Sequence, residues 1–68
     1  MISYNRLWKL LIDKSMMKKD LMEQAKISKS TIRKLNHGES VTTETLARIC
    51  KTLNCDMGDI VEFVPDNK

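Results

Sequence analysis

The sequence has little of the residues that build loop-rich, disulfide-stapled or membrane-spanning proteins. Its 68 residues include only two glycines, one proline and two cysteines. Because glycine and proline are so scarce and apolar residues reach 41% of the chain, disorder and loop-rich folds are disfavoured. Two cysteines are too few for a secreted disulfide scaffold. The longest apolar run, Leu10-Leu11-Ile12, is too short to span a bilayer.

Chemistry-bearing residues are equally sparse. Cys50 and Cys55, together with the single histidine His37, match no zinc-binding spacing. We therefore expect two reduced thiols, with Cys50 packed as a small apolar residue, and neither a metal nor a cofactor. No nucleophile–base pair can be named, so an enzyme is not expected. The chain starts directly with an amphipathic pattern and not with a signal peptide, which predicts a cytoplasmic protein.

A chain of this length predicts one domain over residues 1–68. Small domains bury only about 60% of the surface that their unfolded chains expose, so their cores are marginal. We expect close helix packing or dimerisation to supply the missing stability.

The net charge of +3 is unevenly distributed along the chain. Residues 14–34 carry seven basic side chains and two acidic ones, whereas residues 35–68 carry three basic and six acidic ones. One basic stretch beside a neutral-to-acidic remainder is typical of a protein that meets phosphate with one face.

Periodic apolar residues predict a first helix after the cap Ser3, with Leu7, Leu10 and Leu11 on one stripe, ending near residues 14–15. Trp8 flanks this stripe, which favours packing in the core or in a dimer. A second, short helix is predicted from about residue 18 to residue 25.

Three further helices follow from capping signals. A third helix is predicted from the cap Ser28 to Gly38, the residue type favoured just after a helix. Thr42 or Thr43 can cap a fourth helix, in which the apolar residues recur with helical spacing. The last helix is a short fifth one, for which Asp56 and Asp59 resemble a capping pair and which holds Met57, Ile60 and Val61.

The predicted fold is therefore all-α, a five-helix domain whose helix-turn-helix lies at about residues 18–37. Both chain ends, residues 1–5 and 61–65, alternate apolar and polar residues enough to form short terminal strands. Such strands would leave edges free to join a second subunit, so a homodimer is expected.

The third predicted helix has two distinct faces. Ile32 and Leu35 define its buried side at about 100° per residue. The opposite side has Ser30 and Lys34 at its centre and Arg33 beside them, and Lys29 and Thr31 lie on the flanks. An outer face of this kind suits the major groove of DNA, although basic residues on an exposed helix are also common as a solvated surface.

Three segments of the sequence match the pattern of a known family. They are Lys19-Asp20-Leu21 through Ile27-Ser28-x-Ser30-Thr31-Ile32-x-x-Leu35 to Gly38, then Leu46-Ala47-Arg48-Ile49-Cys50-x-x-Leu53-Asn54-Cys55-x-x-x-Asp59-Ile60, and the start Ile2-Ser3-Tyr4 with Leu7-Trp8-x-Leu10-Leu11. The chain thereby resembles the Cro and lambda-repressor-like family of helix-turn-helix proteins, also called the xenobiotic-response-element family. The start resembles a subgroup of very small, stand-alone members.

The resemblance implies which side chains would meet DNA. Base-reading roles fall on the third helix, at Lys29, Ser30, Arg33 and Lys34. Phosphate-contacting roles fall on Lys18, Ser28, Thr31 and His37.

The sequence departs from the family pattern at three positions. Met22 stands where a small residue is usual, and Lys26 stands at the turn where glycine is frequent. Met17 occupies a position where a capping Ser, Thr or Asn is common, which loses roughly 1 kcal/mol of helix stability.

The predicted function is that of a sequence-specific regulator of transcription that binds double-stranded DNA, with repression as the expected mode. The alternative is a protein-interaction module that keeps the same fold, such as an antitoxin or an antirepressor. A basic DNA-facing stretch favours the first, and a binding face on the acidic half would favour the second.

Overall fold

The computed structural model describes residues 1–65, in which four α-helices make up most of the chain. Their bounds are α1 Asn5–Asp13, α2 Lys18–Ala25, α3 Lys29–Asn36 and α4 Thr43–Leu53. A 3₁₀ turn follows at Met57–Asp59, and strands β1 (Ile2–Ser3) and β2 (Glu62–Phe63) flank the helices. Among residues 1–65, no helix has the length and apolar character needed to cross a membrane. The predicted domain includes residues 66–68, which lie outside the described part.

Two helices begin at the predicted capping residues. The Ser28 hydroxyl accepts the Thr31 N–H at 3.2 Å, and the Thr42 hydroxyl accepts the Thr45 N–H at 3.1 Å. Each bond satisfies one of the amide groups that a helix start leaves without an intrahelical partner. Thr42, rather than Thr43, is therefore the cap of α4.

Neither α1 nor α2 has a side-chain cap, which differs from the expectation for α1 and agrees with it for α2. Tyr4 is the residue preceding α1, so this helix begins one position later than a Ser3 cap implies, although the Ser3 hydroxyl accepts the Asn5 N–H at 3.2 Å. Met17 precedes α2 and offers no side-chain cap. Asp20 compensates in part, because its carboxylate accepts the Met17 N–H at 3.0 Å.

All four helices end in the same way, with one residue in the left-handed conformation. These residues are Ser15, Lys26, Gly38 and Asn54, with φ between 54° and 70°. In each case the next N–H bonds to the carbonyl five positions earlier, from Met16 to Leu11, Ile27 to Met22, Glu39 to Lys34 and Cys55 to Cys50. This closure is the Schellman motif, which places the side chains of those two positions beside each other. Lys26 thus occupies the left-handed turn position where the family frequently has glycine.

The core lies where the four helices and the 3₁₀ turn meet. Helix α2 packs against both α3 and α4, and the 3₁₀ turn packs against α1 and α4. The buried residues are Tyr4, Leu7, Leu11, Leu21, Ala25, Ile27, Leu35, Ile49, Leu53 and Ile60. Trp8, Met22, Ile32 and Cys50 are half-buried against this cluster. Met22 is therefore accommodated at the edge of the core rather than at its centre.

The fifth helix of the prediction is not an α-helix. Asp56 and Asp59 form the predicted capping pair: the Asp59 carboxylate accepts the Asp56 N–H at 2.9 Å. The helix nevertheless ends after three residues, because Ile60 leaves the helical region at φ −124°. The capping pair therefore closes a single 3₁₀ turn, and the backbone is extended again by Glu62.

The terminal strands pair with each other in antiparallel register, with Ile2 opposite Phe63 and Ser3 opposite Glu62. Arg6 connects this ribbon to the helices: its guanidinium donates to the Gly58 carbonyl at 2.8 Å and lies 3.6 Å from the Glu62 carboxylate. Tyr4, which follows β1, bonds to the loop after α3: its hydroxyl donates to the Glu39 carbonyl at 3.0 Å.

Candidate nucleic-acid interface

Helix α3 carries the four side chains to which base reading was assigned. Lys29, Ser30, Arg33 and Lys34 are all exposed, whereas Leu35 is buried and Ile32 is half-buried on the other side of the helix. The face derived from the helical spacing is therefore the outer face of α3. It contains three cations, and α3 contains no acidic residue.

The hydroxyl groups at the start of α3 form one cluster. The Ser28 hydroxyl lies 3.0 Å from the Ser30 hydroxyl and 3.0 Å from the Thr31 hydroxyl. The same Ser28 oxygen accepts the Thr31 N–H, so the cluster is anchored to the backbone of the first turn. Ser28 and Ser30 are exposed, and Thr31 is half-buried. Polar groups from the predicted base-reading set and the predicted phosphate-contacting set thus meet at one helix end, where the helix dipole favours an anion.

Lys18 and His37 lie at the opposite end of α3 from this cluster. His37 is exposed and follows the last residue of α3. Lys18 is the first residue of α2, and its ammonium donates to the Asn36 side-chain oxygen at 2.6 Å. The same ammonium lies 4.2 Å from the centroid of the Trp8 ring. Three helices therefore converge on the Lys18 side chain.

The cations of α3 have no acidic partner within the described chain. The salt bridges among residues 1–65 join Arg6 to Glu62 and Arg48 to Glu44, both away from α3. An unpaired cationic surface attracts a polyanion and loses that attraction as salt rises.

Comparison with known proteins places this geometry in a family. The sequence profile of the Cro/C1-type HTH DNA-binding domain matches residues 6–66, which is most of the chain. The chain belongs to the Cro/C1-type helix-turn-helix family. No curated protein sequence shows significant similarity to it.

A solved structure agrees with this membership. The crystal structure of the transcriptional regulator VanUg, Form II, superposes with a TM-score of 0.92 at 52% sequence identity. The alignment covers 96% of this chain and 87% of the other. The family that the sequence resembles is therefore confirmed.

The sequence did not single out Asn36, and it assigned Trp8 only to packing. Both contact Lys18 through tertiary placement, which no local spacing in the sequence reports. The sequence analysis considered the two cysteines only as possible zinc ligands and missed that they occupy the two paired positions of the Schellman motif that ends α4. The sequence did contain a signal for this motif. Cysteine stands at both ends of a six-residue segment, and Asn54, a residue type that tolerates the left-handed conformation, comes just before the second cysteine.

Cys50 and Cys55 of this Cro/C1-type chain are both free thiols. Partial burial, followed by the charge and hydrogen bond of Cys50 and by the charge of Asp59, raises the pKa of the Cys55 thiol to about 11. Within residues 1–65, no cluster of three or more His, Cys, Asp or Glu side chains could hold a metal ion.

Proposed function

We propose that this protein is a sequence-specific regulator of transcription that binds double-stranded DNA with α3 in the major groove and acts as a repressor. The observation that supports this function is the outer face of α3, which is cationic, exposed and free of acidic residues. Lysine and arginine donate to guanine O6 and N7, and serine can bond to several bases. The similarity to a transcriptional regulator supports the regulatory role.

The phosphate contacts in this proposal lie at both ends of α3. Ser28 and Thr31 would meet the backbone at the start of the helix, and Lys18 and His37 would meet it at the other end. Contacts of this kind fix the register of the protein on the duplex without reading sequence. Lys29, Ser30, Arg33 and Lys34 would then face the base edges between them.

We further propose that the protein binds DNA as a homodimer through the terminal ribbon. Ile2 and Phe63 are directly opposed across the strands, and 37% and 70% of their respective surfaces are exposed. Met1 is 68% exposed beside them. A second copy would cover this apolar face, and its α3 would reach a second half-site about 34–36 Å away, one turn of DNA.

The first test uses Lys34 on duplexes selected from a random pool. Lys34→Ala should weaken binding to the selected site by roughly 1–3 kcal/mol and weaken binding to random DNA far less. Lys9→Ala is the matched control, since Lys9 is an exposed lysine of α1 on the side of the 3₁₀ turn. Titrations of the wild type and both variants with each duplex at constant salt give the six affinities.

Equal losses on the selected and random duplexes would show that Lys34 contacts phosphate only. Absence of salt-dependent DNA binding by the wild type would contradict the whole proposal and favour the protein-interaction module. Repression is tested separately, with a reporter whose promoter contains the selected site. Reporter output should fall when the protein is present, and a rise would indicate activation.

A further inference from the structure

The Lys18 side chain is held by two residues that belong to different helices. Its ammonium is 2.6 Å from the Asn36 oxygen and 4.2 Å from the centre of the Trp8 ring. Lysine side chains at a surface usually sample many rotamers, and ordering one of them on a ligand costs conformational entropy. The Lys18 side chain already makes both ordering contacts in the protein without DNA.

The two contacts leave the ammonium able to bind an anion. A lysine ammonium has three N–H donors and no acceptor, and Asn36 uses one of them. The ring face of Trp8 attracts the positive charge without consuming a particular donor. Lys18 is exposed, so the remaining donors have access to solvent and to a ligand there.

The location of this cluster connects it with the proposed DNA surface. Lys18 begins α2, Asn36 ends α3, and the next residue is His37. The preceding residue, Met17, provides no side-chain cap that would compete for the start of α2. An anion at this place would meet the ammonium at a position fixed relative to the base-reading helix.

We propose that Trp8 and Asn36 are positioning residues that hold the Lys18 ammonium ready for a DNA phosphate. The inference rests on the proposed DNA binding and extends it to two residues that would not touch DNA themselves. The alternative hypothesis predicts the opposite change in affinity. If the contacts with Trp8 and Asn36 sequester Lys18 from DNA, removing them would strengthen DNA binding.

The experiment measures affinity for a random-sequence duplex, because a phosphate contact does not depend on sequence. The salt concentration is raised about fourfold, from about 50 to about 200 mM. Lys18→Ala should make the negative slope of log affinity against log salt shallower by about 0.9. This rise in salt should therefore reduce the affinity of the variant about threefold less than it reduces the affinity of the wild type. Asn36→Ala and Trp8→Leu should each weaken binding a few-fold at low salt. Lys19→Ala and Asn5→Ala are the matched controls, an adjacent exposed lysine and an exposed helical asparagine.

Double variants separate positioning from a general loss of structure. Once Lys18 is alanine, Asn36→Ala should have no further effect on affinity, whereas independent structural damage would add to it. Because Trp8 is half-buried, Trp8→Phe is included as a milder change that keeps a weaker ring face. Its affinity should lie between those of the wild type and Trp8→Leu.

The fluorescence of Trp8, the single tryptophan, provides an independent readout. If the ammonium stays on the ring when DNA binds, the emission of the wild type should change little on adding duplex. A bound spectrum equal to that of Lys18→Ala would overturn the inference, as would tighter binding by Asn36→Ala. Either outcome leaves the proposed function standing as long as Lys34→Ala still loses site preference, and a wild type that binds no DNA would overturn both.

Discussion

Cys55 has a local environment that suppresses thiol chemistry. Because burial and the neighbouring Cys50 raise the pKa of the Cys55 thiol to about 11, very little thiolate is present near neutral pH. Alkylation of Cys55 by iodoacetamide at pH 8 should be about 100-fold slower in the folded protein than in urea, since the ordinary pKa of the thiol is 9.0. Mass spectrometry of time points measures both rates. Equal rates would contradict the raised pKa.

The same shift has a consequence for stability. The pKa of Cys55 is higher in the folded protein than in the unfolded chain. Its contribution to the free energy of unfolding is therefore complete below about pH 9 and is lost as the pH rises towards 11. Replacing both cysteines by alanine should leave DNA binding nearly unchanged, although Cys50→Ala removes packing against the core.

Single residues also show what sequence reasoning can reach. Ser28 caps its helix as predicted, because a hydroxyl before an apolar-periodic segment is a purely local signal. The contacts of Lys18 with Trp8 and Asn36 join residues far apart in sequence, and nothing in the sequence reports their distance. Exposure of the α3 face followed from helical spacing alone. The DNA contacts assigned to it remain predictions.

Among the elements, the junction between α3 and β1 depends most on one residue. Gly38 has φ +70°, and a Cβ there would lie 3.2 Å from the Ile2 carbonyl oxygen. Gly38→Ala should destabilise the protein by about 1–2 kcal/mol, because an alanine is strained in the left-handed region. Urea denaturation measures the change in the free energy of unfolding.

Gly58 is the matched control for this substitution. A Cβ at Gly58 would meet nothing within 4 Å. Gly58→Ala should therefore be neutral or slightly stabilising, through the reduced entropy of the unfolded chain. If both variants lost the same stability, the special geometry of Gly38 would not be the cause.

The elements differ in how far the sequence determines them. Helices α3 and α4 have strong apolar periodicity, and the positions of α2, α3 and α4 agree with the prediction. The prediction of a fifth α-helix was wrong because a capping pair specifies where a helix starts and not how long it is. With Asp59 only three residues before Glu62 of β2, little chain remains for further turns. Strand pairing competes with helix extension here, and that competition is a tertiary effect.

At the scale of the whole molecule, the proposed dimer depends on the ribbon. Phe63→Ser should convert the dimer to monomers, because Phe63 has the largest exposed fraction among the apolar residues of the two strands. Ile12→Ser is the control, since Ile12 is 74% exposed on α1 and should not affect assembly. Sedimentation at micromolar concentration measures the mass of each variant. A wild type that stays monomeric both free and on its selected DNA would rule out the dimer.

The pairing of Ile2 with Phe63 also sets an order of folding. Helices α2, α3 and α4 follow one another through short connections, so their contacts close small loops. The ribbon instead closes a loop of about 60 residues, at an entropic cost of about 3–4 kcal/mol from the (3/2)RT ln n relation. We therefore expect the helices to assemble first and the ribbon to form last. Because the Ile2 carbonyl lies against Gly38, we expect the backbone just after α3 to meet the ribbon only in that last step.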